Sequence, residues 1–150
     1  MPLVYFDSSA LVKLLVEEDG SAVAADLWDG SDAAVASRLA YPEVRAALAA
    51  ANRNRHLDGA GLRAAERDWE VFWAAIRPVE LSAVVEQHAG ALAHLHALGG
   101  ADGVHLASVL VLGDPDVVLA VWNRRLHSAA KAAGVRVAPT VLVTADSGGA

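Results

Sequence analysis

The chain opens on Leu3-Val4-Tyr5-Phe6, a run apolar on both faces, too short and too rich in β-formers for a helix. That pattern predicts a strand buried between two layers. The period then changes at once. From Asp7-Ser8-Ser9 onward, Leu11, Leu14 and Leu15 mark one helical side, and Val12 and Val16 make the other side apolar too. Ser8 or Ser9 is expected to cap this helix. Asp7 falls at the junction, where it is either itself a cap or a group projecting from the carboxyl end of a central strand. Open α/β sheets place their ligands at that end.

The alternation continues. Glu17-Glu18-Asp19-Gly20 closes the first helix, Ser21 to Trp28 reads as a short second one, and Asp32 to Ser37 is a small-residue strand whose Ser37 can cap the next helix. That helix, from Arg38 to about Asn54 with Pro42 in its first turn, precedes a polar break and a second helical stripe of Leu62, Ala65, Trp69, Phe72, Trp73 and Ile76. The pair predicts an αα-hairpin whose aromatics serve as core or as a dimer or partner groove. Val79-Glu80-Leu81 reads as a brief strand, and Ser82 as the cap of a helix with Val84, Val85, His88, Leu92 and Leu95 inward. After Gly99-Gly100, Asp102 opens another helix. Val117 to Val121 is a buried strand, Asn123 to Ala133 a helix, and Val135 to Val137 an edge strand; Ala145 to Ala150 has the composition of a frayed tail. The order of elements predicts a parallel α/β sandwich without internal repeat or dividing linker.

Composition narrows the chemistry. At 150 residues the chain suits one domain, and with no cysteine it has neither disulfides nor thiol chemistry. No basic leader precedes the first strand and no apolar run is long enough to span a bilayer, so a soluble, cytoplasmic protein without a membrane partner is expected. A net charge of −6 argues against a broad basic surface for nucleic acid. Cationic help for such a ligand must be local or brought by a metal.

Acids recur at element ends: Asp7 after the first strand, Glu43 in the early turns of the helix after the second, Asp102 at the start of its helix. Asn123 follows the last long strand. In a parallel sheet these ends share one edge. Three carboxylates gathered there repel unless protons or cations intervene, and hard oxygen donors suit Mg²⁺ or Mn²⁺. The histidines add less. His94 and His96, two apart, lie on different helix sides; His88 falls on an apolar stripe and reads as a core histidine; His105, one turn after Asp102, could face the site.

Four blocks in order carry a resemblance: Phe6-Asp7-Ser8-Ser9-Ala10-Leu11-Val12-Lys13, Tyr41-Pro42-Glu43-Val44-Arg45, Gly100-Ala101-Asp102-Gly103-Val104-His105-Leu106-Ala107-Ser108, and Val121-Trp122-Asn123-Arg124-Arg125-Leu126. Together they resemble the motifs of PIN-domain proteins, and within these the VapC-type toxins of bacterial toxin-antitoxin pairs. The resemblance implies a PIN-like three-layer sandwich, with a central parallel sheet of four to five strands over residues 1–137 and a C-terminal extension or tail over 138–150. It implies a Mg²⁺- or Mn²⁺-dependent endoribonuclease with Asp7, Glu43 and Asp102 as metal-binding and catalytic acids and Asn123 as a fourth catalytic residue. It further implies an RNA substrate cut by water to a 5′-phosphate and a 3′-hydroxyl, a VapB-type antitoxin partner and a homodimer.

The last block departs from the family pattern, which commonly has aspartate where this chain has Asn123. Asparagine keeps an oxygen to orient water but loses the charge, which puts a second metal in doubt; Asp114 or Asp116 could compensate if their loop folds back. Ser8 is a candidate supporting donor. Lys13, Arg45, Arg124 and Arg125 are candidates to meet phosphates. Two rivals stand beside this reading. One is a catalytically impaired PIN-fold binding module acting through protein partners. The other is a phosphatase of the haloacid-dehalogenase type, which needs a second acid where this chain has Ser9.

Overall fold

The computed structural model describes residues 2–143, so the expected tail at Ala145 to Ala150 lies outside the described residues. Strands β1 (Leu3–Phe6), β2 (Ala33–Ser37), β3 (Arg77–Val79), β4 (Val118–Ala120) and β5 (Arg136–Ala138) form a sheet in the order β3-β2-β1-β4-β5. Every pairing is parallel. The connections are helical: α1 (Ser8–Lys13), α2 (Ser21–Gly30), α3 (Ala40–Arg53), α4 (Gly59–Ala75), α5 (Ala83–His96), α6 (Gly100–Val111) and α7 (Arg124–Ala132). The chain winds outward from β1 to β3, then returns to place β4 on the other side of β1. That reversal opens a crevice at the carboxyl ends of β1 and β4, the switch point where such sheets bind ligands.

Strand alternation splits the interior into two cores. Val4 and Phe6 face Leu11, Val44, Leu48 and Trp69, while Tyr5 faces Leu106, Leu119, Leu126 and Val137 on the opposite side of the sheet. A sheet buried on both faces explains why β1 is apolar without interruption. The result is the three-layer sandwich expected from the sequence.

The αα-hairpin is α3 with α4, and its aromatics are largely core. Trp69 is fully buried, stacked on Tyr41 at 5.9 Å and tilted against Trp73 at 5.4 Å between ring centroids. Its indole Nε1 finds no hydrogen bond among the described residues. An orphan donor of this kind costs about 1–3 kcal/mol, an amount that the buried ring and its aromatic neighbours offset.

Several expectations shift. β3 is Arg77–Val79 rather than Val79 to Leu81. Pro78 disguises the strand, yet β3 is an edge that pairs on one side only, where a missing donor is tolerated. The edge strand β5 sits one residue later than read. Ser82 does cap α5, accepting from the Val85 amide at 3.3 Å, but the inward face is Val85 and Ala89, with Leu92 packed beside them. Val84 (57% exposed) and Leu95 (73%) face outward, and His88 is exposed rather than core. Small residues set this face because α5 packs tightly on α6: a side chain at Gly103 would lie 2.7 Å from the Ala89 carbonyl. Asp114 accepts from the Asp116 amide in a turn before β4, and Asp116 sits 3.6 Å from Arg136. Both lie at the amino end of β4, the opposite edge from the crevice, so neither compensates for Asn123.

Candidate functional site

Asp7 is the first residue beyond β1 and only 4% exposed. It rather than Ser8 or Ser9 caps α1, its Oδ1 accepting from the Ala10 amide at 2.9 Å and from the Ser9 hydroxyl at 2.6 Å. The cap and the crevice position are one and the same. Burial pushes its carboxyl above the ordinary carboxylate range, and the negative charge of Asp102 adds to this; the Ser9 and Ala10 hydrogen bonds and the His105 ring oppose it. Ser9 Oγ also accepts from the Trp122 amide at 3.3 Å, tying the exit of β1 to the exit of β4.

Glu43 reaches the crevice from the first turn of α3. Its Oε1 accepts from the Ser8 hydroxyl at 2.7 Å and lies 2.7 Å from His105 Nε2. Burial alone would raise this carboxyl, but the imidazole's hydrogen bond and charge, with Ser8, bring it below its ordinary value. Asp102, half-buried in the first turn of α6, makes no hydrogen bond among the described residues. Burial and the Glu43 charge push it up, while His105 and Arg125 pull the other way.

His105 is the hub. It is 2% exposed, and its Nδ1 lies 2.8 Å from the Tyr5 hydroxyl, which accepts in turn from the Ser37 amide at 3.1 Å. The Tyr5 oxygen thus meets the Ser37 N–H on one side and His105 Nδ1 on the other, while Nε2 of the same ring meets Glu43. The chain Ser37, Tyr5, His105, Glu43, Ser8 thus links β2, β1, α6, α3 and α1.

Asp7, Glu43 and Asp102 therefore come to one sheet edge and into one electrostatic group. Asn123 arrives at the same edge but is exposed and caps α7, its Oδ1 accepting from the Leu126 amide at 3.1 Å. Among the described residues no three His, Asp or Glu side chains stand as a ready-made metal cage. The donor chemistry does fit a hard divalent cation. Asp102 is free of hydrogen bonds among the described residues and both bonds to Asp7 fall on Oδ1, so oxygens of both acids remain open to a cation. Glu43 is the acid turned aside, onto His105 and Ser8.

Sequence reasoning underweighted His105 and missed Tyr5 and Ser9. The signal available was spacing: His105 is one helical turn from Asp102, and a polar Tyr5 inside a buried strand needs a partner. Two of the four phosphate candidates are occupied. Lys13 donates to Glu18 at 3.1 Å and to the Asp19 carbonyl at 2.7 Å. Arg45 sits 3.7 Å from Glu66 and 3.5 Å from Glu70, which also accepts from the Tyr41 hydroxyl.

A parallel sheet with a switch-point crevice lined by three such acids defines a class, that of PIN-type α/β proteins. The chain belongs to the PIN-domain family, whose model matches residues 4–132. It is 70% identical over 142 residues to ribonuclease VapC45 of Mycobacterium tuberculosis (strain CDC 1551 / Oshkosh), covering 95% of this chain and 99% of that one. Among solved structures it is similar to PAE2754 from Pyrobaculum aerophilum (TM-score 0.68, 19% identity, 91% of this chain and 83% of that one). It is also similar to a toxin-antitoxin complex from Klebsiella pneumoniae (TM-score 0.65, 16% identity, 93% and 99%).

Proposed function

We propose that this protein is a metal-dependent endoribonuclease acting in the cytoplasm as the toxin of a toxin-antitoxin pair. The observation that carries this reading is the arrival of Asp7, Glu43 and Asp102 at one switch-point crevice, from the end of β1 and the first turns of α3 and α6, in a chain 70% identical to a ribonuclease. Asp7, Asp102 and Glu43 would hold Mg²⁺ or Mn²⁺. When bound, such a cation supplies Lewis acidity, making water a nucleophile near neutral pH and offsetting charge on the phosphodiester.

The chain's own residues do the positioning. Ser9 and the Ala10 amide fix Oδ1 of Asp7, and the cap keeps that carboxyl from rotating out of the crevice. His105 and Ser8 fix Oε1 of Glu43. The Ser9 hydroxyl, where a haloacid-dehalogenase phosphatase needs an acid, donates to Asp7 and leaves no second carboxylate there. A VapB-type antitoxin would lay an apolar segment against the α3–α4 hairpin, where Arg38, Tyr41, Pro42, Glu70 and Trp73 line an open cleft of about 450 Å³. A homodimer is the expected assembly.

The test is cleavage of single-stranded and structured RNA by the wild type, Asp7→Asn and Asp102→Asn, with Mg²⁺, Mn²⁺ or EDTA, and end-group analysis of the products. Wild-type cutting that needs metal and both acids, leaving 5′-phosphates, supports the reading. Metal-independent cutting to 2′,3′-cyclic phosphates, or no cutting of any RNA alongside retained partner binding, would overturn it.

A further inference from the structure

The acids account for chemistry but not for how an anionic polymer settles on a chain of net charge −6. The cations that could receive it are unevenly committed. Lys13, Arg38, Arg45 and Arg136 are each held by an acid. Arg124, Arg125 and Lys131, all on α7, have no ion pair among the described residues, and all three are solvent-exposed. Arg124, Ser128 and Lys131 recur at i, i+4 and i+7, so they share one helix face spanning about 10 Å. Arg125 lies on the neighbouring face with Ala129 and Ala132.

Both faces border open space. Between the end of α5 and α7 is a cleft of about 650 Å³ whose lining includes His96, Arg124, Arg125 and Ser128 over a floor of alanines, with no acidic residue. On the far side of Arg124, a second hollow of about 220 Å³ contains Arg124, Ser128 and Lys131, again without an acid. The larger cleft begins beside the acidic group, because Arg124 and Arg125 are the first residues of α7, whose cap Asn123 stands at the same sheet edge as Asp7 and Asp102.

Resting on the ribonuclease reading, we infer that α7 and the α5–α7 cleft form the track for single-stranded RNA on one side of the cut. Arg125 receives the phosphate next to the acids, and Arg124 and Lys131 receive successive phosphates beyond it. The alanine floor at Ala97, Ala129 and Ala132 is flat and apolar enough to take a ribose or base edge without selecting among bases. Asn123 begins this track: by capping α7 it sets the helix end from which Arg124 and Arg125 project.

The test separates binding from cutting. In the non-cleaving Asp102→Asn background, the affinity of a fluorescein-labelled single-stranded RNA oligonucleotide of mixed sequence is followed by anisotropy across a KCl series. Adding Arg124→Gln and Arg125→Gln is expected to weaken binding on the order of tenfold and to flatten the salt slope by about 1.4, since each lost phosphate contact on a single strand removes about 0.7. Arg63→Gln with Arg67→Gln on α4 removes the same charge elsewhere and should leave both quantities unchanged. An equal loss in the α4 control reduces the effect to net charge and overturns the track. So does unaltered RNA binding when the α7 arginines are replaced, including the case where only antitoxin binding suffers. If the wild type cuts RNA while the α7 variant binds as tightly as its parent, this inference alone fails. If no RNA is bound or cut at all, the ribonuclease reading fails and takes the track with it.

Discussion

His105 Nε2 stands 2.7 Å from Glu43 Oε1 across the crevice, joining α6 to α3. The contact makes the position of one acid depend on a ring whose other nitrogen is fixed from β1, since Tyr5 reaches the same histidine at 2.8 Å. A carboxylate carried on a long, flexible glutamate stem loses much of its freedom this way, and a donor fixed in advance would cost less to order on binding the proposed cation.

Tyr5→Phe tests that dependence. It keeps the buried ring but deletes the hydroxyl between the Ser37 amide and His105 Nδ1, leaving two buried polar groups without a partner. The expected loss of stability is about 1–3 kcal/mol for each orphan, read from urea unfolding. RNA cleavage should fall on the order of 10–100-fold, and added metal should not restore it. A variant that is less stable yet fully active would show that the Tyr5–His105 contact serves the core alone.

Asp7 gives a pH-dependent prediction. Its carboxyl is raised in the folded protein, chiefly by burial. The native state therefore holds a proton that the unfolded chain has lost, and stability falls as pH climbs from the ordinary value of 3.8 toward the raised one. Below 3.8 both states are protonated and the penalty is absent. Asp7→Asn keeps a capping oxygen but cannot ionise. In EDTA it should melt above the wild type at neutral pH, with a difference that shrinks on acidification, while RNA cleavage is lost. A variant melting below the wild type at pH 8 would contradict the direction of this shift.

Asn123 separates cap from charge. Asn123→Ala removes the acceptor for the Leu126 amide and should cost about 1 kcal/mol in urea unfolding. Asn123→Asp keeps that acceptor, adds a favourable charge of about 0.3–1 kcal/mol at the start of α7, and brings a fourth carboxylate to the crevice edge. Half-maximal cleavage should then need less Mg²⁺ than in the wild type. An unchanged Mg²⁺ requirement would confine this position to capping.

How far the chain could be read depends on where its interactions lie. The strand at Leu3 to Phe6, the second strand and α7 announce themselves through apolar runs and caps, which are local. The gathering of Asp7, Glu43 and Asp102 at one edge was legible because parallel topology sends strand ends to a common side. The inward face of α5 was not, since Val85 and Ala89 are chosen by the closeness of α6, a fact of tertiary packing that no period reveals. Nor was the His105 hub, whose partners lie 62 and 100 positions away in sequence. A proline hid β3 for the opposite reason: a local rule against strands that an edge position relaxes.

Gly103 couples that packing to the site. A Cβ at this position would fall 2.7 Å from the Ala89 carbonyl, a backbone atom that cannot swing away, and 3.3 Å from the Ala93 side chain. Gly103→Ala in the middle of an exposed helix would ordinarily stabilise it by roughly 1 kcal/mol. Here the clash reverses the sign, and overpacking of this kind costs about 1–3 kcal/mol. Because Gly103 lies between Asp102 and His105, relief of the clash must push α6 away from α5 and carry both side chains with it. The expected outcome is a lowered urea midpoint together with a fall in RNA cleavage larger than that of Ala107→Gly, which loosens the same helix without separating it from α5. If Gly103→Ala proves neutral or stabilising, the two helices lie further apart than the close approach of Gly103 to Ala89 implies, and Asp102 owes its position to something other than their contact.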